Sequence, residues 1–179
     1  MDDFAANLHK FFNVDNVIKY YVLTHWFGCV DQRVKNTMLA FFCDTQNVQD
    51  PNESPMHRMR GYFIFYDNDT ILGLKNDGTL EPSVEKNRYA NVMGYPWDMD
   101  EDSGLFALSN AGDGKSATLW DNIYQCHKIY LANNNPTSNA HKLGSLVHDA
   151  YVSLRNYITF DTFNKYFNTY QVKYYPDSV

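Results

Sequence analysis

No block of lysine and arginine occurs anywhere along the 179 residues, and acids outnumber bases 21 to 15. A net charge of −6 without a basic stripe excludes general phosphate-backbone binding, so no nucleic-acid partner is expected. Long apolar runs are missing too. Those present are a few residues long, against the roughly 20 that cross a bilayer, and the opening MDDFAANLHKFF lacks the basic-then-apolar order of a secretory leader. The expectation is a soluble chain with no transmembrane segment, no signal peptide and no membrane partner. Cysteine is scarce, and Cys29, Cys43 and Cys126 contain no close pair. That excludes a disulfide framework or a CxxC zinc site and predicts three reduced, mostly buried thiols in a reducing, cytoplasmic-type compartment.

Aromatic side chains are what the sequence has in excess: 14 Tyr, 12 Phe and 3 Trp, 16% of the chain. Two explanations stay open, a core built on Tyr and Phe or an adhesive surface. With 44% hydrophobic residues the chain can bury a real core, and residues 1–179 read as a single domain or lobe.

The hydrophobic pattern predicts an α+β fold. Residues 14–27 (VDNVIKYYVLTHWF) are apolar or aromatic nearly all round, which indicates a helix buried on most sides, capped by Asn13 and stopped at Gly28. Residues 37–43 (TMLAFFC) read as a buried strand, residues 44–60 as a long polar loop, and residues 62–66 (YFIFY) as a second strand, giving a β-hairpin. The middle, 67–117, is irregular and rich in turn residues, where sites tend to be built. Helical spacing returns at Leu119, Ile123, Cys126 and Tyr130. It continues at Leu143, Leu146, Val147, Ala150, Tyr151 and Leu154, behind a Thr137/Ser138 cap, and then in an aromatic stripe of Phe163, Tyr166, Phe167 and Tyr170.

The candidate chemistry is acidic. Asp31 and Asn36 are five residues apart, the spacing by which a kinase catalytic loop aims an aspartate at the accepting hydroxyl and an asparagine at a metal ion. Arg33, between them, is placed to meet a transferring phosphate. The second strand leads into Asp67-Asn68-Asp69, and carboxylates at a strand end suit a hard cation such as Mg²⁺. The bland alternative is that Asp and Asn serve as turn formers that hydrogen-bond their own backbone. A second run, Asp98, Asp100 and Asp102 before Gly104, alternates acids like the first half of a calcium loop. Gly104 comes one residue late for that pattern, and a solvated turn is its other reading.

Buried helix, Asp-x4-Asn loop, strand, loop, strand and Asp follow the order of elements in a protein-kinase-like C-terminal lobe. The runs YYVLTHWFGCVDQRVKN and GYFIFYDNDTILG resemble the kinase-like family named after spore coat protein H (the CotH family), especially divergent relatives from gut bacteria and their phages. The resemblance covers about residues 10–125. It implies an atypical kinase fold that phosphorylates protein Ser using ATP and a divalent metal. It further implies Asp31 as the catalytic aspartate, Asn36 and Asp67 as metal and cofactor ligands, and Asp69 as a supporting acid. The context it implies is a phage virion or a bacterial surface protein.

The sequence departs from ordinary kinases in three places. Cys29 and Val30 stand where His-Arg is usual, the Asn36-to-Asp67 gap is long, and 30 residues precede Asp31, too few for a nucleotide-clamping lobe. The chain is therefore expected to belong to a larger protein or assembly. Either a missing N-terminal lobe or a protein partner would then meet the Phe163/Tyr166/Phe167/Tyr170 face. The competing reading is a non-enzymatic structural or interaction domain that keeps the fold, with a structural Ca²⁺ or no metal at all.

The remaining motifs are weaker. Gly112-Asp113-Gly114-Lys115-Ser116 resembles the tail of a phosphate-binding loop, but Ser109 stands where the leading glycine belongs. The six histidines form no ligand pattern and are expected at the surface or in caps. Cys29 has no base beside it in sequence and is expected as a buried thiol.

Overall fold

In the computed structural model of the chain, the residues described are 1–27, 29, 37–43, 54–66 and 119–174. Helix α1 (Asp2–Asn7) runs through a 3-10 turn (Leu8–Lys10) to the buried helix α2 (Val14–Trp26). The hairpin strands are β1 (Met38–Cys43) and β2 (Met59–Ile64), with a 3-10 turn (Pro55–Arg58) before β2. Three helices close the order: α3 (Leu119–Leu131), α4 (Asn139–Tyr157) and α5 (Phe160–Tyr174). Among the described residues, the helices and one antiparallel strand pair make an α+β arrangement, as the sequence predicts.

Helix α2 forms where expected and for the expected reason. The Asn13 side chain accepts a hydrogen bond from the Asn16 backbone N–H at 2.9 Å, a cap on an otherwise unsatisfied donor. Val17, Ile18, Tyr20, Tyr21, Val22, Thr24 and His25 are all buried, so the helix is enclosed on most sides. The polar Thr24 is tolerated inside because its hydroxyl donates back to the carbonyls of Tyr20 and Tyr21.

The hairpin corrects two expectations. Strand β2 spans Met59–Ile64 rather than 62–66, because its pairing with β1 runs from Met38 opposite Ile64 to Cys43 opposite Met59. What reads as polar loop therefore enters the ladder at Met59-Arg60-Gly61. Strand β1 is not buried; Phe41 and Phe42 are 56% and 55% exposed. The cause is topological. The far edge of β2 is taken by the Phe11–Asn13 segment, with Gly61 donating to the Phe11 carbonyl at 2.8 Å and accepting from the Asn13 N–H at 3.1 Å. Helix α2 covers the Phe63 side, which leaves β1 as the outer strand.

The core is aromatic at its centre. Tyr20, Phe63 and Trp120 stack mutually with centroids 4.7–5.6 Å apart, which brings α2, β2 and α3 together. Burying rings of this size removes on the order of 150–250 Å² each from water. Helices α3 and α4 pack closest at Gly144, where an added Cβ would lie 2.1 Å from the Cys126 carbonyl oxygen. Only glycine permits that approach. Helix α4 starts at Ser138, whose hydroxyl accepts from the His141 N–H, and Asp2 of α1 accepts from the Ala140 N–H at 2.9 Å. Of the three thiols, Cys29 and Cys126 are buried but Cys43 is exposed on the outer strand, and none is in a disulfide. Among the described residues, no helix is long and apolar enough to cross a membrane.

Candidate functional site

Asp31, Arg33, Asn36, Asp67, Asp69, Asp98, Asp100 and Asp102 lie outside the described residues, as do Gly28 and residues 112–116. What the structure defines is the frame from which the two acid-bearing segments depart. That frame is built by α2, the hairpin and their cross-links.

Asn16 is the principal cross-link. Its side-chain oxygen accepts from the Phe63 N–H at 2.7 Å, and its side-chain nitrogen donates to the Phe63 carbonyl at 3.1 Å. The amide thus imitates a strand neighbour and satisfies both backbone groups of a buried residue. Asn13 adds a second tie, donating from its side chain to the Tyr62 hydroxyl at 3.1 Å. Higher up, Tyr20 meets Phe63 at 5.1 Å and Phe65 at 4.7 Å between centroids.

These contacts set a direction. Gly61 pairs with Asn13, Phe63 with Asn16 and Phe65 with Tyr20, so β2 runs along α2 in the same sense. Strand and helix both advance toward the C-terminal end of α2. There the Cys29 backbone N–H donates to the Thr24 carbonyl at 2.8 Å, and Cys29 itself is 3% exposed. Cys29 stands two residues before Asp31, and Tyr66 directly precedes Asp67. The strand pairing adds a third departure point at the same end, since Met38, two residues after Asn36, is paired with Ile64. Three described chain ends that flank the candidate acids thus leave from one end of the α2–hairpin unit.

Cys29 matches its expectation as a buried thiol. His9 and His57 are exposed, as expected, but His25 and His127 are not. His25 is 4% exposed and is hydrogen-bonded through Nδ1 to the Tyr151 hydroxyl. His127 lies between α3 and α4, stacked on Tyr151 at 5.7 Å and 6.1 Å from His148. Its buried Nε2 has no hydrogen-bond partner among the described residues. Burial, reinforced by the nearby His148, pushes the His127 pKa down to about 4. A tyrosine bringing its ring and hydroxyl from a helix about 25 or 125 residues away gives these histidines their interior places, and no local spacing announces it. Among the described residues, no group of three or more His, Cys, Asp or Glu side chains is placed to hold a metal ion. Burial likewise lifts the Cys126 thiol to about 11, which makes it an inert packing group.

The sequence of the chain matches a known family. The sequence profile of the family described as CotH kinase protein matches residues 1–125. That stretch contains α1, α2, the hairpin and both the 31–36 and 67–69 segments. No curated protein and no solved structure was found to match the chain.

Proposed function

The chain belongs to the CotH kinase protein family, and on that premise we propose that it carries the catalytic-loop half of a kinase-type phosphoryl-transfer site in a protein-kinase-like C-terminal lobe. Asp31 accepts the proton of a protein Ser or Thr hydroxyl, and Arg33 faces the charge of the transferring phosphate. Asn36 and Asp67, supported by Asp69, hold a divalent cation. Two carboxylates and an amide oxygen are hard donors that suit Mg²⁺. Bound Mg²⁺ with ATP supplies the phosphoryl group and neutralises its oxygens. The setting we propose is a larger phage-virion or bacterial-surface protein.

The observation that supports this reading is the shared direction of α2 and β2, from which the flanks of the Asp31–Asn36 and Asp67 segments leave at one end. The test is transfer of labelled γ-phosphate from Mg²⁺-ATP to protein by the natural polypeptide. Asp31→Ala and Asp67→Ala are each expected to lower the rate by about 10²-fold or more. Absence of transfer by the unaltered protein, or transfer that survives both substitutions, contradicts the proposal.

A second reading rests on the exposed aromatic surface. Phe41, Phe42, Tyr66, Phe160 and Phe167 are each more than 40% exposed, which suits an interaction domain that retains the family fold without turnover. Under that reading the phosphate assay is negative while the protein still binds a partner through these faces.

A further inference from the structure

One short pattern occurs on both sides of the α3–α4 contact. His127-Lys128-Ile129-Tyr130 lies on α3 and His148-Asp149-Ala150-Tyr151 on α4. Residues three apart share a helix face, so each helix presents a histidine and a tyrosine together. The four rings form one row. Tyr130 packs on His148 with centroids 5.1 Å apart, His148 lies 6.1 Å from His127, and His127 stacks on Tyr151 at 5.7 Å. The two imidazoles are the middle pair, one from each helix. Their spacing is held by Gly144, which lets α4 approach the Cys126 carbonyl and the Tyr130 Cβ.

The nitrogens of this pair have no other use among the described residues. The buried Nε2 of His127 has no hydrogen-bond partner there, and no described side chain or backbone group bonds to the His148 ring. A buried nitrogen left in that state is costly, and an ion is one of the few things that relieves it. With a pKa of about 4, depressed by burial and by His148, the His127 imidazole is neutral at pH 7 and keeps the lone pair that a metal requires. Both residues are partly exposed, so the pair is within reach of ions from solvent.

The ring separation fits a shared ion. Zinc sits about 2.0–2.1 Å from an imidazole nitrogen, hence about 3.2 Å from the ring centroid. Two imidazoles on one ion then have centroids about 5.2 Å apart at the tetrahedral angle and about 6.4 Å apart when opposite. The observed 6.1 Å lies inside that range. The donor type sets the class of ion, because imidazole suits Zn²⁺, Cu²⁺ and Ni²⁺, whereas Mg²⁺ takes oxygen ligands. Two protein ligands leave the remaining positions to water, and the flanking tyrosine rings restrict both imidazoles from either side.

We propose that His127 and His148 form a two-imidazole site for a transition-metal ion of the zinc type, which ties α3 to α4 with water completing its coordination. The proposal does not depend on the phosphoryl-transfer reading, whose cation would sit on oxygen donors elsewhere in the chain. Titration of the full chain with Zn²⁺ near neutral pH tests it, followed by calorimetry and by the histidine ring-proton resonances. Zn²⁺ is expected to shift the resonances of both His127 and His148, and saturating Zn²⁺ to raise the melting temperature by several degrees. His127→Phe keeps the stack on Tyr151, and His148→Gln replaces a partly exposed ring, so both variants are expected to stay folded by circular dichroism. Each should weaken this binding by about 10-fold or more and remove the rise in melting temperature. His9→Gln and His57→Gln, at exposed positions, should change neither. A wild-type chain that does not bind Zn²⁺, binding that leaves the His127 and His148 resonances in place, or binding equally tight in His127→Phe and His148→Gln overturns the proposal.

Discussion

Asn16 joins the buried helix to the strand that leads to Asp67, with one amide serving both backbone groups of Phe63. Removing it leaves an N–H and a C=O without partners in a half-dry place. Asn16→Leu, close in shape, is expected to cost about 2–4 kcal/mol in urea unfolding, since each stranded group costs roughly 1–3. Asn16→Asp keeps the acceptor but sets a carboxylate oxygen against the Phe63 carbonyl, and should be at least as destabilising at neutral pH. A loss below about 0.5 kcal/mol for both would mean that the amide does not hold the strand. The neighbouring Asn13 was legible in the sequence because its cap bond spans three residues. Asn16 was not, because its partner lies 47 positions ahead and no local pattern marks it.

Helix packing between α3 and α4 carries a pH dependence. His127 titrates near 4 when folded and near 6.5 when unfolded. Between those values the unfolded chain binds the extra proton, so stability contributed at and above about pH 6.5 is lost as pH falls toward 4. The His127→Phe variant keeps the stacking on Tyr151 and removes the titration. The melting temperature of the wild type is expected to fall more steeply from pH 7 to 4.5 than that of His127→Phe; parallel curves would contradict this. Ser138 as a cap and the Leu143/Val147 face were readable from spacing. Leu146 shares their spacing, yet it is 51% exposed, because it lines an open cleft between α2 and α4. The Gly144 contact with Cys126 was also hidden, since nothing in a sequence states how near two helices approach.

At the scale of the whole molecule the aromatic excess divides into two parts. Tyr20, Phe63 and Trp120 form the centre of the core, whereas β1 and α5 hold their rings outward. Of the two explanations that composition left open, the aromatic core holds for the first group, and the rings of the second are exposed. The order of helix, loop, hairpin and acid was legible because each element is continuous in sequence, and the family match covers the same stretch. The parallel course of α2 and β2 was not, since it depends on contacts between residues about 45 to 50 positions apart. That course is the basis for the proposal that Asp31, Asn36 and Asp67 share one site. The direct measurement is anomalous scattering from crystals of the protein grown with Mn²⁺ in place of Mg²⁺. The account predicts one Mn²⁺ bound by Asn36 and Asp67, with the Asp31 carboxylate facing the same pocket. A cation bound elsewhere, or Asp31 and Asp67 pointing into separate environments, would contradict it.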